Sequence, residues 1–122
     1  MSIYAILYLL LTHWVADFLC QSDWMATNKS KDSGALIAHT FVYSIVFMFS
    51  LLFMLKLSLG FILQFGMITF AAHTATDYVT SRINAQLWAD KKVHWFFVSI
   101  GFDQFLHFTQ IFIIYQLLNN GC

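Results

Sequence analysis

The chain has 122 residues, 60% of them hydrophobic and 10% charged, with no proline, zero formal net charge and a mean hydropathy of +0.71. That composition argues for a single transmembrane domain over 1–122 and against an ordinary soluble fold. The six lysines and arginines are scattered, which excludes a basic footprint for nucleic acid.

In chain order, the first apolar run covers 2–20. A helix of about 20 apolar residues crosses a bilayer core. The run lacks a basic leader and a small-residue cleavage site, so it reads as a retained span and not a secretory signal. It carries His13 and Asp17, and Gln21 continues their stripe one turn further. Cys20 and Cys122 stand in neither a metal-ligand nor a redox spacing. A polar loop over 21–33 holds Lys29 and Lys31, and a second span over 34–55 carries His39. A tight turn at 56–59 leads into a third span over 60–81 with His73 and Asp77. The polar segment 82–92, with Arg82, Lys91 and Lys92, precedes a fourth span over 93–118 that carries Asp103, Gln104 and His107. His94, beside Trp95, reads as a solvated histidine. The predicted fold is all-α, an integral membrane four-helix bundle.

Positive residues in short loops stay cytoplasmic. Five of the six basic residues lie in or beside the first and third loops, and only Lys56 lies opposite, so loops 21–33 and 82–92 are expected in the cytoplasm and both termini outside it. Trp24, Trp88 and Trp95 fall near the same interface, where indole rings prefer to sit. At about 1.5 Å of rise per residue, His13, Asp17, His39, His73 and Asp77 share one level near the cytoplasmic side. Asp103 and His107 are expected somewhat deeper, unless the last span tilts or begins nearer Ser99.

Buried ionisable side chains carry the functional signal. An aspartate at the centre of a membrane helix costs roughly 2.5–3.5 kcal/mol on insertion scales, so three of them are tolerated only facing one another, water or a cation. His13–Asp17, His73–Asp77 and Asp103–His107 each stand four residues apart, which places both partners on one helix face. With His39 they form an inventory of four imidazoles and three carboxylates, suited to a divalent ion or a dinuclear pair. Nitrogen and oxygen donors without thiolate favour Zn²⁺, Mn²⁺ or Fe²⁺. HWVADF and HTATDY form a faint internal repeat, which would relate two helical hairpins about an axis along the membrane normal. Gln21, Lys29, Arg82 and Gln104 are the candidate substrate-binding residues; no catalytic residue is singled out.

The ordered set HxxxDFxxQ, a lysine, a histidine, HxxxD and DQxxH resembles an uncharacterised family of small integral membrane proteins from bacteria and their phages, a domain of unknown function. The resemblance covers nearly the whole chain and implies the bacterial inner membrane. That family often carries a lysine soon after the third element's aspartate, where this chain has Arg82. The His/Asp pattern is more distantly similar to membrane-bound metal-dependent hydrolases.

The leading expectation is a membrane-embedded metal-dependent hydrolase acting on a lipid or lipid-linked phosphate-type substrate near the cytoplasmic leaflet. A proton or divalent-cation transporter or channel would use the same cluster, and a non-enzymatic phage-type effector would need none of it. Axial haem ligation is a fourth use of the histidines, for which the acidic neighbours are ill suited. Expected partners are membrane lipids, with homo-oligomerisation or a host membrane protein as further possibilities.

Overall fold

The computed structural model describes residues 1–121 and is all-helical over them, in five helices. Helix α1 covers Ile3–Trp14 and continues as a π-helical turn over Val15–Leu19. Short α2 covers Asp23–Asn28, and α3, α4 and α5 cover Ser33–Phe53, Leu59–Ala89 and Val93–Asn120. Cys122 lies outside the described residues.

The four-helix count is therefore corrected to five. The added helix arises in the first polar loop because Ser22 caps it, its hydroxyl accepting from the Met25 amide at 3.2 Å. Six polar and mixed residues are too few for a periodicity, so the sequence shows only a loop there. Three helices, α3, α4 and α5, are long and apolar enough to cross a membrane, whereas Ile3–Leu19 is shorter.

The turn between α4 and α5 also differs from expectation. Helix α4 does not stop near Ser81 but runs two further turns, and the reversal is confined to Asp90–Lys92, with Lys91 in the left-handed region at φ 57°. At 31 residues α4 is about 46 Å long. That exceeds a bilayer core of about 30 Å, so α4 is longer than a span requires. The other reversal, between α3 and α4, places Lys56 in the same left-handed region at φ 50°.

Packing is inverted relative to a water-soluble protein. Among the described residues the buried set holds thirteen polar or charged residues against twelve apolar ones, while Leu7, Leu11, Phe41, Phe49, Phe53, Met67, Phe105 and Leu117 face outward. An apolar exterior around a polar interior is stable only where the surroundings are themselves apolar. The apolar core, including Leu9, Phe47, Leu51, Phe61, Phe65 and Ile111, fills the half of the bundle away from α2. The histidines and aspartates fill the half towards it.

Candidate metal centre

Hairpin geometry brings the ionisable residues to one level. In an antiparallel helix pair, residues equally far from the turn lie side by side. Across the α3–α4 turn this pairs His39 with His73 and Thr40 with Thr74, at 3.3 Å between Nε2 atoms and 2.8 Å between hydroxyls. Across the Asp90–Lys92 reversal it pairs Asp77 with His107, at 3.0 Å, and Thr80 with Asp103, at 2.6 Å. Asp103 and His107 are thus level with the other groups and not deeper. The extra turns of α4 carry the reversal outward, so the first turns of α5 are used up alongside them.

Helix α1 contributes through its π turn. A π turn holds more residues than an α turn, which rotates the side chains after it. Asp17 lies within that turn and its Oδ1 points across the bundle, 3.0 Å from His39 Nε2 and 3.4 Å from His73 Nε2, while its own i,i+4 partner His13 stands 3.6 Å from Oδ2. The copy of the same spacing in α4, His73–Asp77, lies on regular α-helix. The two halves of the sequence repeat therefore present their aspartates differently.

Two sets of donors result. Asp17, His39, His73 and Asp77 offer atoms all within 4.8 Å of one another, and Asp77, Asp103 and His107 form a second such group. Around the first set, Asp17 Oδ1 is 3.0 Å from His39 Nε2 and 3.4 Å from His73 Nε2, and Asp77 Oδ2 is 3.2 Å and 3.6 Å from the same two atoms. With the 3.3 Å between the imidazoles, five of the six edges of a tetrahedron are on hand. A tetrahedral Zn²⁺ with bonds of about 2.0–2.1 Å requires edges of about 3.3 Å. Asp17 Oδ1 is buried and accepts no hydrogen bond despite these close nitrogens. The four groups converge on a common point, and the set could hold a metal ion.

Asp77 joins the two sets. Its Oδ2 belongs to the first, and its Oδ1 lies 3.0 Å from His107 Nε2, which is itself 3.2 Å from Asp103 Oδ1. A carboxylate split between two cation positions is the usual bridge of a dinuclear centre in a helical bundle.

The surrounding groups orient these donors. The Gln104 amide donates to Asp17 Oδ2 at 3.3 Å and to Asp103 Oδ2 at 3.1 Å, and its carbonyl lies 2.7 Å from His13 Nε2. His13 Nδ1 lies 2.7 Å from the Tyr43 hydroxyl. With both ring nitrogens engaged, His13 falls outside both donor sets and acts on Asp17 by position. The Tyr43 ring stacks on His73 at 3.9 Å between centroids, and His73 stacks on His107 at 4.1 Å, which fixes two rings whose Nδ1 atoms have no hydrogen-bond partner. Tyr43 and Thr80 were not singled out by the sequence pattern. Tyr43 follows His39 by four residues, so the same-face rule that selects the His/Asp pairs would also have selected it.

Lys29, at the end of α2, donates to Asp77 Oδ2 at 2.9 Å. Burial opposes its charge, but Asp77, with Asp17 and Asp103 behind it, outweighs that and holds the ammonium above its usual range. Arg82 is turned away, its guanidinium donating to its own helix at Tyr78 O and lying over the Tyr78 ring. A cavity of about 520 Å³ opens beside the centre, between α2, the end of α4 and the start of α5, with Asp17, Asp103, Gln104, Gln21 and Lys29 on its wall. Of the four candidate substrate-binding residues, Arg82 alone is not brought to this cavity.

Residues 5–121 match the family described as a protein of unknown function (DUF3307), and the chain belongs to that family. No curated protein and no solved structure matches it.

Proposed function

We propose that the protein is a membrane-embedded, metal-dependent hydrolase of lipid or lipid-linked phosphate-type substrates, working at the leaflet that faces α2. The observation that carries this reading is the near-tetrahedral spacing of Asp17, His39, His73 and Asp77, deep in a bundle whose exterior is apolar.

The two donor sets suggest different roles. Four protein donors close a site, whereas three leave a coordination position open, as catalytic sites require. The open set contains Asp103, which borders the cavity. Asp77, Asp103 and His107 would hold a divalent ion there, which would polarise a phosphoryl oxygen and acidify water. Charge supports two ions in the working state. With neutral imidazoles, three carboxylates and the Lys29 ammonium leave two negative charges; one divalent ion would neutralise them, and a second would leave a net positive charge that attracts a phosphate ester. In hydrolysis the water oxygen bonds to phosphorus, the ester P–O bond breaks, and one proton of the water passes to the leaving oxygen while the other stays with the phosphate product. Lys29, on the cavity wall, is placed to bind the phosphate and steady that oxygen.

One-sided access favours hydrolysis over transport. The cavity reaches the centre from the α2 side, and behind the centre lies the apolar cluster around Phe47, Leu51, Phe61 and Phe65. The basic residues in and beside 21–33 and 82–92 support a cytoplasmic location for this side. Elemental analysis of detergent-purified protein, paired with ³¹P detection of products from mixed phospholipids, tests the proposal. Stoichiometric metal with phosphate-ester turnover is expected; a folded, persistently metal-free protein, or a metal-loaded one inert towards every phosphate ester, would overturn it.

A further inference from the structure

The cavity beside the centre contains more polar groups than metal binding uses. Ser81 Oγ, Gln21 Oε1 and Asn84 Oδ1 are buried atoms without a hydrogen-bond partner, and all three residues line it. Ser81 is only 8% exposed, whereas Gln21 and Asn84 are half-buried at the cavity. A buried polar atom left unsatisfied costs about 1–3 kcal/mol, and three around one cavity mark it as built for a ligand that completes them. A hydroxyl both donates and accepts, so it satisfies a serine hydroxyl and either end of a side-chain amide.

The opposite wall differs in character. Phe96 and Phe97 of α5 line it, joined at the rim by Trp88, one turn beyond Asn84 on the same face of α4, and Trp88 and Phe97 are more than half exposed on the apolar exterior. A molecule seated here has its polar end among Ser81, Asn84 and Gln21, its anionic part against Lys29 and the metal sets, and its chain leaving past aromatic rings. That sequence of surfaces describes an amphiphile and not a free phosphate.

We propose that this cavity is the headgroup site for a hydroxyl-bearing phospholipid, one whose phosphate carries a polyol and not a bare oxygen or an amine. The assignment rests on the metal-centre reading above and narrows its substrate class. Asp17 and Asp103 on the same wall would repel a phosphate in the absence of ions and attract an amine, so the headgroup's charge is decided by the metal.

The experiment titrates the full chain, metal-loaded in detergent, with dihexanoyl-phosphatidylglycerol, dihexanoyl-phosphatidic acid, dihexanoyl-phosphatidylethanolamine and chain-free glycerol 3-phosphate. The glycerol lipid is expected to bind about tenfold more tightly than phosphatidic acid, the worth of one or two completed hydrogen bonds. The double variant Ser81→Ala/Asn84→Ala is expected to lose that preference while its metal content and its binding of phosphatidic acid stay unchanged. Equal binding of the glycerol lipid and phosphatidic acid overturns the proposal, as does tighter binding of the ethanolamine lipid. Glycerol 3-phosphate binding as tightly as the lipid would assign the cavity to a soluble ligand and overturn the lipid assignment. Metal content measured on the same samples separates the two readings. Metal-loaded protein without headgroup preference defeats this inference alone, whereas metal-free protein that still prefers the glycerol lipid defeats the metal centre alone.

Discussion

Lys29 Nζ lies 2.9 Å from Asp77 Oδ2 across 48 positions of chain, joining the polar loop after α1 to the middle of α4. That oxygen is also a member of the four-donor set, so the lysine and a metal ion share one ligand atom. In metal-free protein the ammonium is the neutralising charge nearest Asp77.

Lys29→Met should therefore destabilise metal-free protein more than metal-loaded protein. Removing one partner of a buried ion pair costs about 3–5 kcal/mol when nothing replaces it, and an ion in the donor set replaces it. Thermal unfolding in detergent, with chelator and with added Zn²⁺, reads the difference; equal losses under both conditions would refute the shared-ligand relationship.

Asp77 and Asp103 should separate the two donor sets. Asp103→Asn removes a charge from the three-donor set alone and is expected to lower bound metal from two equivalents to one. Asp77→Asn weakens both sets and is expected to bring it close to none. Elemental analysis of the two purified variants checks this, and identical stoichiometries would rule out a bridging Asp77.

Gln104 holds one carboxylate of each set through a single amide. Partners that orient metal ligands are typically worth about 10–100-fold in metal affinity. Gln104→Ala should weaken binding by that order in competition with a chelator, with helical content by circular dichroism unchanged. Retained affinity would reduce the residue to a packing role.

Gly66 of α4 packs against Met48 of α3. A Cβ built there would lie 2.5 Å from Met48 Sδ and 2.7 Å from its Cγ, whereas one at Gly101 meets nothing within 4 Å. Because Met48 is flexible, Gly66→Ala should cost only about 1 kcal/mol, and Gly66→Val, a branched side chain, about 2–3 kcal/mol. Gly101→Ala should be neutral or slightly stabilising, since alanine favours helix over glycine. Comparative thermal melts decide, and an equal cost at both glycines would mean the helices are not packed as described.

The helical class, the three long apolar helices and the grouping of Asp17, His39, His73, Asp77, Asp103 and His107 were legible in the sequence. Apolar length reports a span, and i,i+4 spacing reports a shared face, because both depend only on the rise and twist of one helix. The small helix at Asp23–Asn28, the continuation of α4 to Ala89 and the π turn at Val15–Leu19 were not legible. Each depends on capping or on packing against neighbours, which leave no period in the residues. His13 shows the consequence: its spacing from Asp17 matches that of His73 from Asp77, yet the π turn and Gln104 remove it from the donor sets.

The chain's own order of residues thus determined which side chains are available and that they must be hidden inside the apolar exterior, since composition and spacing alone make an ionised carboxylate there too costly to leave unpaired. Which of them meet, at which level and around how many points, was decided only by tertiary structure. Those meetings are set by where each hairpin reverses and how each helix is rotated, and a one-residue change in either moves a ligand atom by more than the few tenths of an ångström that separate a donor set from an ordinary hydrogen bond.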